Sequence, residues 1–328
     1  MQAQGVKVLK HYRDLAYMGF VEVVKHLPTI YQNFRTCRRQ IQEFKPDCVI
    51  LVDYPGFNLR MATWIAKQKI PVYYYISPQL WAWHTSRVHK IKKAVRRMFV
   101  ILPFEKEFYK NYGMDVTYIG HPLAVELSKL PAQHIISKES IALLPGSRKH
   151  EVEKLLPVMT EVASRLPNEK FIVAAVSHLP LDLYQSFIGP FPNISIEADA
   201  MRNVLQKSKA AIVTSGTATL ETALMGVPEV VVYKGSPVSY QIAKRLIKVP
   251  YISLVNLIAD KRLVPELIQQ DCNADNVLTH LQQITDPKTS SEMKKGFEEI
   301  KSLLVSGGGA ATAANEIISD LQQIRTSW

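Results

Sequence analysis

The run Ala210-Ala211-Ile212-Val213 passes through Ser215-Gly216-Thr217 into Ala218–Met225, and Gly226 and Pro228 close the unit. A short apolar run bounded in this way reads as a buried parallel strand, and the segment behind it as a helix. A turn of this kind exposes backbone N–H groups at a helix start, where the helix dipole favours an anion such as a diphosphate. Glu221 lies one turn inside the helix, placed to accept hydrogen bonds from a ribose. The same Ser and Thr also serve as ordinary helix caps. The turn alone leaves both readings open.

Strands and helices alternate along the whole chain, which argues for parallel sheets covered by helices. Strand candidates in the first half are Cys48–Val52, Val72–Ile76, Met98–Ile101 and Thr117–Ile119, with helices at Phe34–Phe44, Leu59–Lys67 and Phe104–Tyr112. The pattern restarts with strands at Ile141–Leu144, Phe171–Ala175, Ala211–Val213 and Val230–Tyr233. A length of 328 residues suits about two domains. His121 to Glu139 is polar and weakly periodic, so the expected division is a first domain over 1–125, a linker over 126–139 and a second domain over 140–309. The last segment, 310–328, reads as an alanine-rich helix able to pack across both domains.

No apolar segment approaches the ~20 residues that span a bilayer. Lys7, Lys10 and Arg13 interrupt any leader-like core, which makes a cytoplasmic protein the expectation. Cys37, Cys48 and Cys272 are widely spaced and suggest neither a disulfide framework nor a zinc site. The net charge of +11 implies an acidic partner: nucleic acid, an anionic membrane surface or a phosphorylated substrate.

Leu143-Leu144-Pro145-Gly146-Ser147-Arg148 ends the first strand of the second half and feeds a helix. There Gly146 permits close backbone approach, and Arg148 either grips a phosphate or caps a solvated loop. Ser77-Pro78-Gln79-Leu80-Trp81-Ala82-Trp83 leads into a basic stretch with Arg87, Lys90, Lys92, Lys93, Arg96 and Arg97, read as one helix. Its tryptophans suit either a core or a cleft, and its cations either solvent or a phosphorylated or lipid-headgroup partner.

Taken in order, Ser77–Trp83 with Arg87, Leu102-Pro103-Phe104-Glu105, Gly120-His121-Pro122, Leu144–Arg148 and Ser215–Glu221 resemble the lipid-A-disaccharide synthase family. Asp53-Tyr54-Pro55-Gly56-Phe57-Asn58 and Tyr251–Leu257 add to the likeness, which runs from Met1 to about Gln270. The resemblance implies a GT-B glycosyltransferase, an α/β protein with two Rossmann-like doubly wound domains facing across a cleft. It implies the transfer of 2,3-diacylglucosamine from its UDP derivative to 2,3-diacylglucosamine 1-phosphate, with UDP released and no metal or other cofactor needed. The family opens with a strand and a Gly-Glu-Ala-Ser-Gly-Asp turn that this sequence lacks, so the first domain is expected to be incomplete by one βαβ unit. That leaves a non-catalytic UDP-sugar- or membrane-binding remnant as an alternative. A peptidoglycan-type N-acetylglucosaminyl transferase or an epimerase acting on a UDP-sugar is another, against which Ser77–Trp83 argues.

Under that resemblance Asp53 is the candidate base, with ordering of the Pro55-Gly56 turn as its plainer role. Gly146, Ser147, Arg148, Ser215, Gly216, Thr217, Glu221 and Asn256 are expected to hold the donor, Asn256 alternatively fixing a loop. Trp83, Arg87 and His121 are expected to line the acceptor side of the cleft, His121 alternatively being polar surface. Met18–Phe34 is an apolar stretch flanked by Lys25, His26, Arg35, Arg38 and Arg39; it suits a core helix or, with Phe20, Val21, Val24 and Leu27 against lipid, an interfacial one. The implied partners are the two diacylated sugars and an anionic membrane surface, on the cytoplasmic face of the inner membrane, and not nucleic acid. A homo-oligomer is compatible with the sequence but not specified by it.

Overall fold

The computed structural model describes residues 4–10, 27–83, 85–129, 138–236, 240–241, 244–245 and 249–326. The first unit runs α1 (Leu27–Phe44), β1 (Val49–Val52), α2 (Pro55–Lys67), β2 (Val72–Tyr75), a 3-10 turn (Thr85–Arg87), α3 (Val88–Ala94), β3 (Arg97–Val100), α4 (Pro103–Lys110) and β4 (Thr117–Tyr118). Its strands form a parallel sheet in the order β1-β2-β3-β4. Val72, Tyr73 and Tyr74 of β2 are all buried, because helices cover both faces of the sheet and the alternation of a one-sided strand is lost. Tyr74 packs with Leu59, Met61, Ile65 and Val88, whereas Tyr73 packs with Phe99 and with residues near the chain's end.

The second unit continues with α5 (Pro122–Ser128), β5 (Ser140–Leu144), α6 (Lys149–Ser164), β6 (Lys170–Ala175), α7 (Leu181–Ile188), β7 (Ile194–Ala198), α8 (Met201–Gln206), β8 (Ser208–Thr214), α9 (Thr217–Leu224), β9 (Glu229–Tyr233), α10 (Leu254–Ala259), β10 (Glu266–Ile268), α11 (Ala274–Thr285) and α12 (Pro287–Val305). The strands pair in parallel in the order β10-β9-β8-β5-β6-β7. Progression goes outward from β5 through β6 and β7, then reverses to the other side of β5 through β8, β9 and β10. The point between β5 and β8 is therefore a topological switch, where open α/β sheets bind ligands at their carboxyl edge.

The final helix, α13 (Gly309–Thr326), returns to the first sheet. Ala313 and Ile317 pack against Tyr73, Phe99 and Ile119, and Asp320 accepts hydrogen bonds from Tyr73 Oη (2.6 Å) and Arg96 Nε (2.5 Å). Entry to α13 is a close backbone crossing: an added Cβ at Gly307 would lie 2.0 Å from the Ile119 carbonyl carbon. Only glycine fits between the chain leaving β4 and the turn after α12.

Several sequence expectations are corrected here. Residues 126–128, read as the start of the linker, belong to α5, whose helix begins on Pro122 and packs on α9 and α12. The basic stretch is not one helix: Arg96 and Arg97 lie beyond α3 and pair with Asp320 and Glu316 of α13. Phe34, counted as apolar surface, is buried with its ring 4.5 Å from that of Phe57. Arg38, counted as a flanking cation, packs its guanidinium over the rings of Phe34 and Trp64. Phe20, Val21 and Val24 lie outside the described residues, and Leu27 opens α1.

Candidate active site

A cavity of about 530 Å³ opens at the switch point and brings Gly146, Ser147 and Arg148 together with Ser215, Gly216, Thr217 and Glu221. The β5 side is shaped by Gly146, whose φ of +113° no side chain adopts easily; a Cβ there would also meet Glu151 Oε2 at 2.5 Å. That Glu151 carboxylate accepts hydrogen bonds from the backbone N–H groups of Ser147 (3.1 Å) and Arg148 (3.2 Å), and its other oxygen pairs with Arg148 Nη1 at 2.9 Å. The strand thus ends in a turn held open by one glycine and tied by one carboxylate three residues into the helix, the spacing of a capping box. Glu151 carried no site role in the sequence reading, although that spacing was its signal.

On the β8 side, Ser215 Oγ donates to Ile252 O (3.2 Å) and Thr219 Oγ1 to Gly216 O (2.8 Å), which fixes the entry to α9. Glu221 accepts a hydrogen bond from Arg202 Nε at 2.7 Å, and the same guanidinium pairs with Glu126 of α5 at 2.9 Å. Arg202 therefore links the crevice carboxylate to the helix that joins the two units. No local pattern around Arg202 points to this, since its partners lie 19 and 76 residues away. Across the crevice Asp199 accepts from Ser177 N (2.9 Å), and hydrogen bonds from Ser177 hold its carboxyl below the usual range.

Asn256 does not join this cavity. It is fully buried; its Nδ2 donates to Val264 O and Glu266 Oε1, and its Oδ1 accepts from the N–H groups of Leu263 and Val264. All of its amide capacity is spent fixing the approach to β10, which is the loop-fixing role.

In the first unit, Asp53 and Tyr54 directly after β1 both have left-handed backbones, φ 44° and 45°. Two such residues in succession cost about 1–3 kcal/mol each. The turn is held by Asn58 Nδ2 and Tyr74 Oη, which donate to the Asp53 carbonyl at 2.7 and 2.6 Å. The cap of α2 is Tyr54 and makes no side-chain cap bond, so the exposed Asp53 carboxylate is not spent on the helix. It stands at the carboxyl edge of the sheet.

The tract after β2 divides its tryptophans. Trp81 is fixed against Phe104, rings 4.9 Å apart and edge-on, and its Nε1 donates to Glu105 Oε1 at 3.2 Å. Glu105 also accepts from the N–H groups of Ile101 and Leu102; burial nevertheless pushes its carboxyl up to about 7. Trp83 is exposed, and Arg87 is half-buried in the 3-10 turn. His121 is not polar surface: it is buried and caps α5, Nδ1 accepting from Leu123 N at 3.3 Å. Burial lowers its pKa to about 4, so the ring is neutral near pH 7. Among the described residues no cluster of histidine, cysteine and carboxylate side chains forms a metal centre.

Two Rossmann-like units with a crevice at the carboxyl edge of the second make a GT-B fold, and solved structures of that fold superpose on about nine-tenths of the chain. The Staphylococcus aureus MnaA–UDP co-structure matches with a TM-score of 0.60 at 13% identity, over 90% of this chain and 79% of that one. The calicheamicin glycosyltransferase CalG4 matches with a TM-score of 0.57 at 15% identity, over 93% and 83%. The family model for lipid-A-disaccharide synthetase matches residues 1–312. The lipid-A-disaccharide synthase of Acidobacterium capsulatum is 38% identical over 338 residues, covering 95% of this chain and 84% of that protein. That of Nitrosococcus oceani is 39% identical over 331 residues, covering 97% and 85%. The chain belongs to the lipid-A-disaccharide synthase family and is an enzyme, a glycosyltransferase of lipid A biosynthesis.

Proposed function

We propose that this enzyme joins UDP-2,3-diacylglucosamine to 2,3-diacylglucosamine 1-phosphate, giving the β-1′,6-linked disaccharide 1-phosphate and UDP. The observation that carries the reading is the switch-point cavity, where two anion-favouring turns meet with Arg148 and Glu221 on its wall. In the proposed step the acceptor's 6-hydroxyl oxygen attacks the donor's anomeric carbon as the bond to the UDP oxygen breaks, with inversion. Asp53 takes the hydroxyl proton. The turn N–H groups and Arg148 receive the charge developing on the departing diphosphate, and Glu221 orients the ribose. No metal is assigned to the step; the chain has no Asp-x-Asp pair of the kind that holds one in other glycosyltransferases.

Two diacylated substrates require access to a bilayer, which supports attachment to the cytoplasmic face of the inner membrane. No helix among the described residues is long and apolar enough to cross a membrane, so the attachment proposed is peripheral. Calorimetry with UDP tests the donor site. Arg148→Ala is expected to lose a charge-assisted contact of ~1.5–3 kcal/mol. Unchanged UDP affinity would remove Arg148 from the donor site.

A further inference from the structure

A second cavity, of about 700 Å³, opens at the carboxyl ends of β9 and β10. It adjoins the donor crevice: Glu151 of α6 lines the crevice, and Lys154, about one turn later, lines this cavity. Lys234, just after β9, and Lys244 add two more ammonium groups, and Asp271 is the one carboxylate among its described lining residues. Lys154 and Lys234 are half-buried. The nearby acids of α6 are already engaged, Glu151 by Arg148 and Glu153 by Lys149.

The wall that carries Lys234 is fixed in place. Gln269, itself left-handed with φ 56°, accepts from Gly235 N at 2.7 Å and donates its own N–H to Tyr233 O at 2.8 Å. The backbone on either side of Lys234 is thereby tied to the end of β10. Asn273, the cap of the twelve-residue α11, also lines the cavity and brings the positive end of a helix dipole to it. Among the described lining residues three ammoniums against one carboxylate leave two positive charges. A phosphomonoester dianion cancels both, whereas a phosphodiester cancels one.

We propose that this cavity is a phosphate subsite, separate from the donor crevice, that takes the phosphomonoester of a sugar phosphate. It rests on the reading above for the identity of the sugar, because the acceptor proposed there carries such a group.

The test titrates glucosamine 1-phosphate into the full chain saturated with UDP, so that the crevice is occupied. Binding is expected, and the Lys154→Met/Lys234→Gln double variant is expected to weaken it about tenfold or more, since each lysine offers a charge-assisted contact. UDP affinity should stay within about twofold in that variant, whereas Arg148→Ala should show the converse pattern. No binding of glucosamine 1-phosphate beside retained UDP binding overturns the subsite alone; loss of UDP binding by the parent chain would instead overturn the donor reading. Inorganic phosphate binding as tightly as glucosamine 1-phosphate overturns the sugar-phosphate assignment. Vesicles containing phosphatidic acid give the last arm. If the double variant loses only vesicle binding, the lysines serve a lipid surface and the subsite is overturned.

Discussion

Asp320→Ala should release α13 from the first sheet. The carboxylate is only 4% exposed and accepts from Tyr73 Oη, Arg96 Nε and Arg96 Nη2, with Arg97 Nε at 3.4 Å. Burial alone would raise its pKa, but the hydrogen bonds from Arg96 and Tyr73 outweigh burial and hold it at about 2, below the ordinary 3.8. At ~1.4 kcal/mol per pH unit, that fall corresponds to about 2.5 kcal/mol. Breaking a buried pair costs about 3–5 kcal/mol. Both arginines keep roughly two-fifths of their side-chain surface in water, which brings the expectation down to about 2–3 kcal/mol. Because the folded pKa is depressed, the contribution is present above pH 3.8 and is lost as pH falls through about 2. Urea unfolding and hydrogen exchange of the α13 amides should therefore show a full penalty at pH 7 that shrinks toward pH 2. Tyr73→Phe, which removes one donor, should cost about 1 kcal/mol. A pH 7 penalty below about 0.5 kcal/mol, or one that does not change with acid, would refute the reasoning.

Glu105 predicts the opposite pH dependence: its carboxyl is raised to about 7, so its contribution is full below pH 4.5 and is lost as pH rises through 7. Glu105→Gln should abolish a loss of roughly 3 kcal/mol between pH 5 and 8, measured by chemical denaturation, and an unchanged slope would exclude Glu105 as its source. Asp53→Asn should lower turnover by about 10²-fold or more while leaving UDP affinity intact, and near-normal turnover in a steady-state assay would exclude it as the base. Lys90, Lys92 and Lys93 are exposed on α3, and replacing all three with Gln should weaken co-sedimentation with anionic vesicles by about 1 kcal/mol for each residue that reaches the surface. Binding equal to the parent's at low salt would show that α3 does not face lipid.

The parts of the switch-point cavity were legible because they are local. A glycine turn directly after an apolar strand and before a helix sits at the carboxyl edge wherever the strand falls in the sheet, so Gly146–Arg148 and Ser215–Thr217 could be read without strand order. What brings them to one cavity is the adjacency of β5 and β8, which no local pattern states. Asn256 and His121 each carried two readings for one reason: a polar residue in a motif looks alike whether it meets a ligand or satisfies buried backbone. The misread cations share another cause. Arg96 and Arg97 form an exposed-looking basic run until α13 returns more than 200 residues later to pair with them. Strands β7 and β10 fell outside the strand candidates because β7 is an edge strand carrying Ser195 and Glu197, and β10 has three residues.

The same long-range contacts bear on how the two units work as one enzyme. Glu126 and Glu221 share the Arg202 guanidinium, so the carboxylate proposed to orient the ribose is linked to α5. That helix is capped by His121, whose own N–H donates to Leu304 O near the end of α12, while Gly309 N donates to Ile119 O just beyond β4. The switch-point crevice and the sheet that carries Asp53 are therefore joined through α5 and α13. Motion of one unit against the other would strain those two crossings, where Gly307 leaves no room for a side chain. Substrate closure in this architecture would thus load Arg202 and the Gly307 crossing together, although one lies in the crevice wall and the other does not.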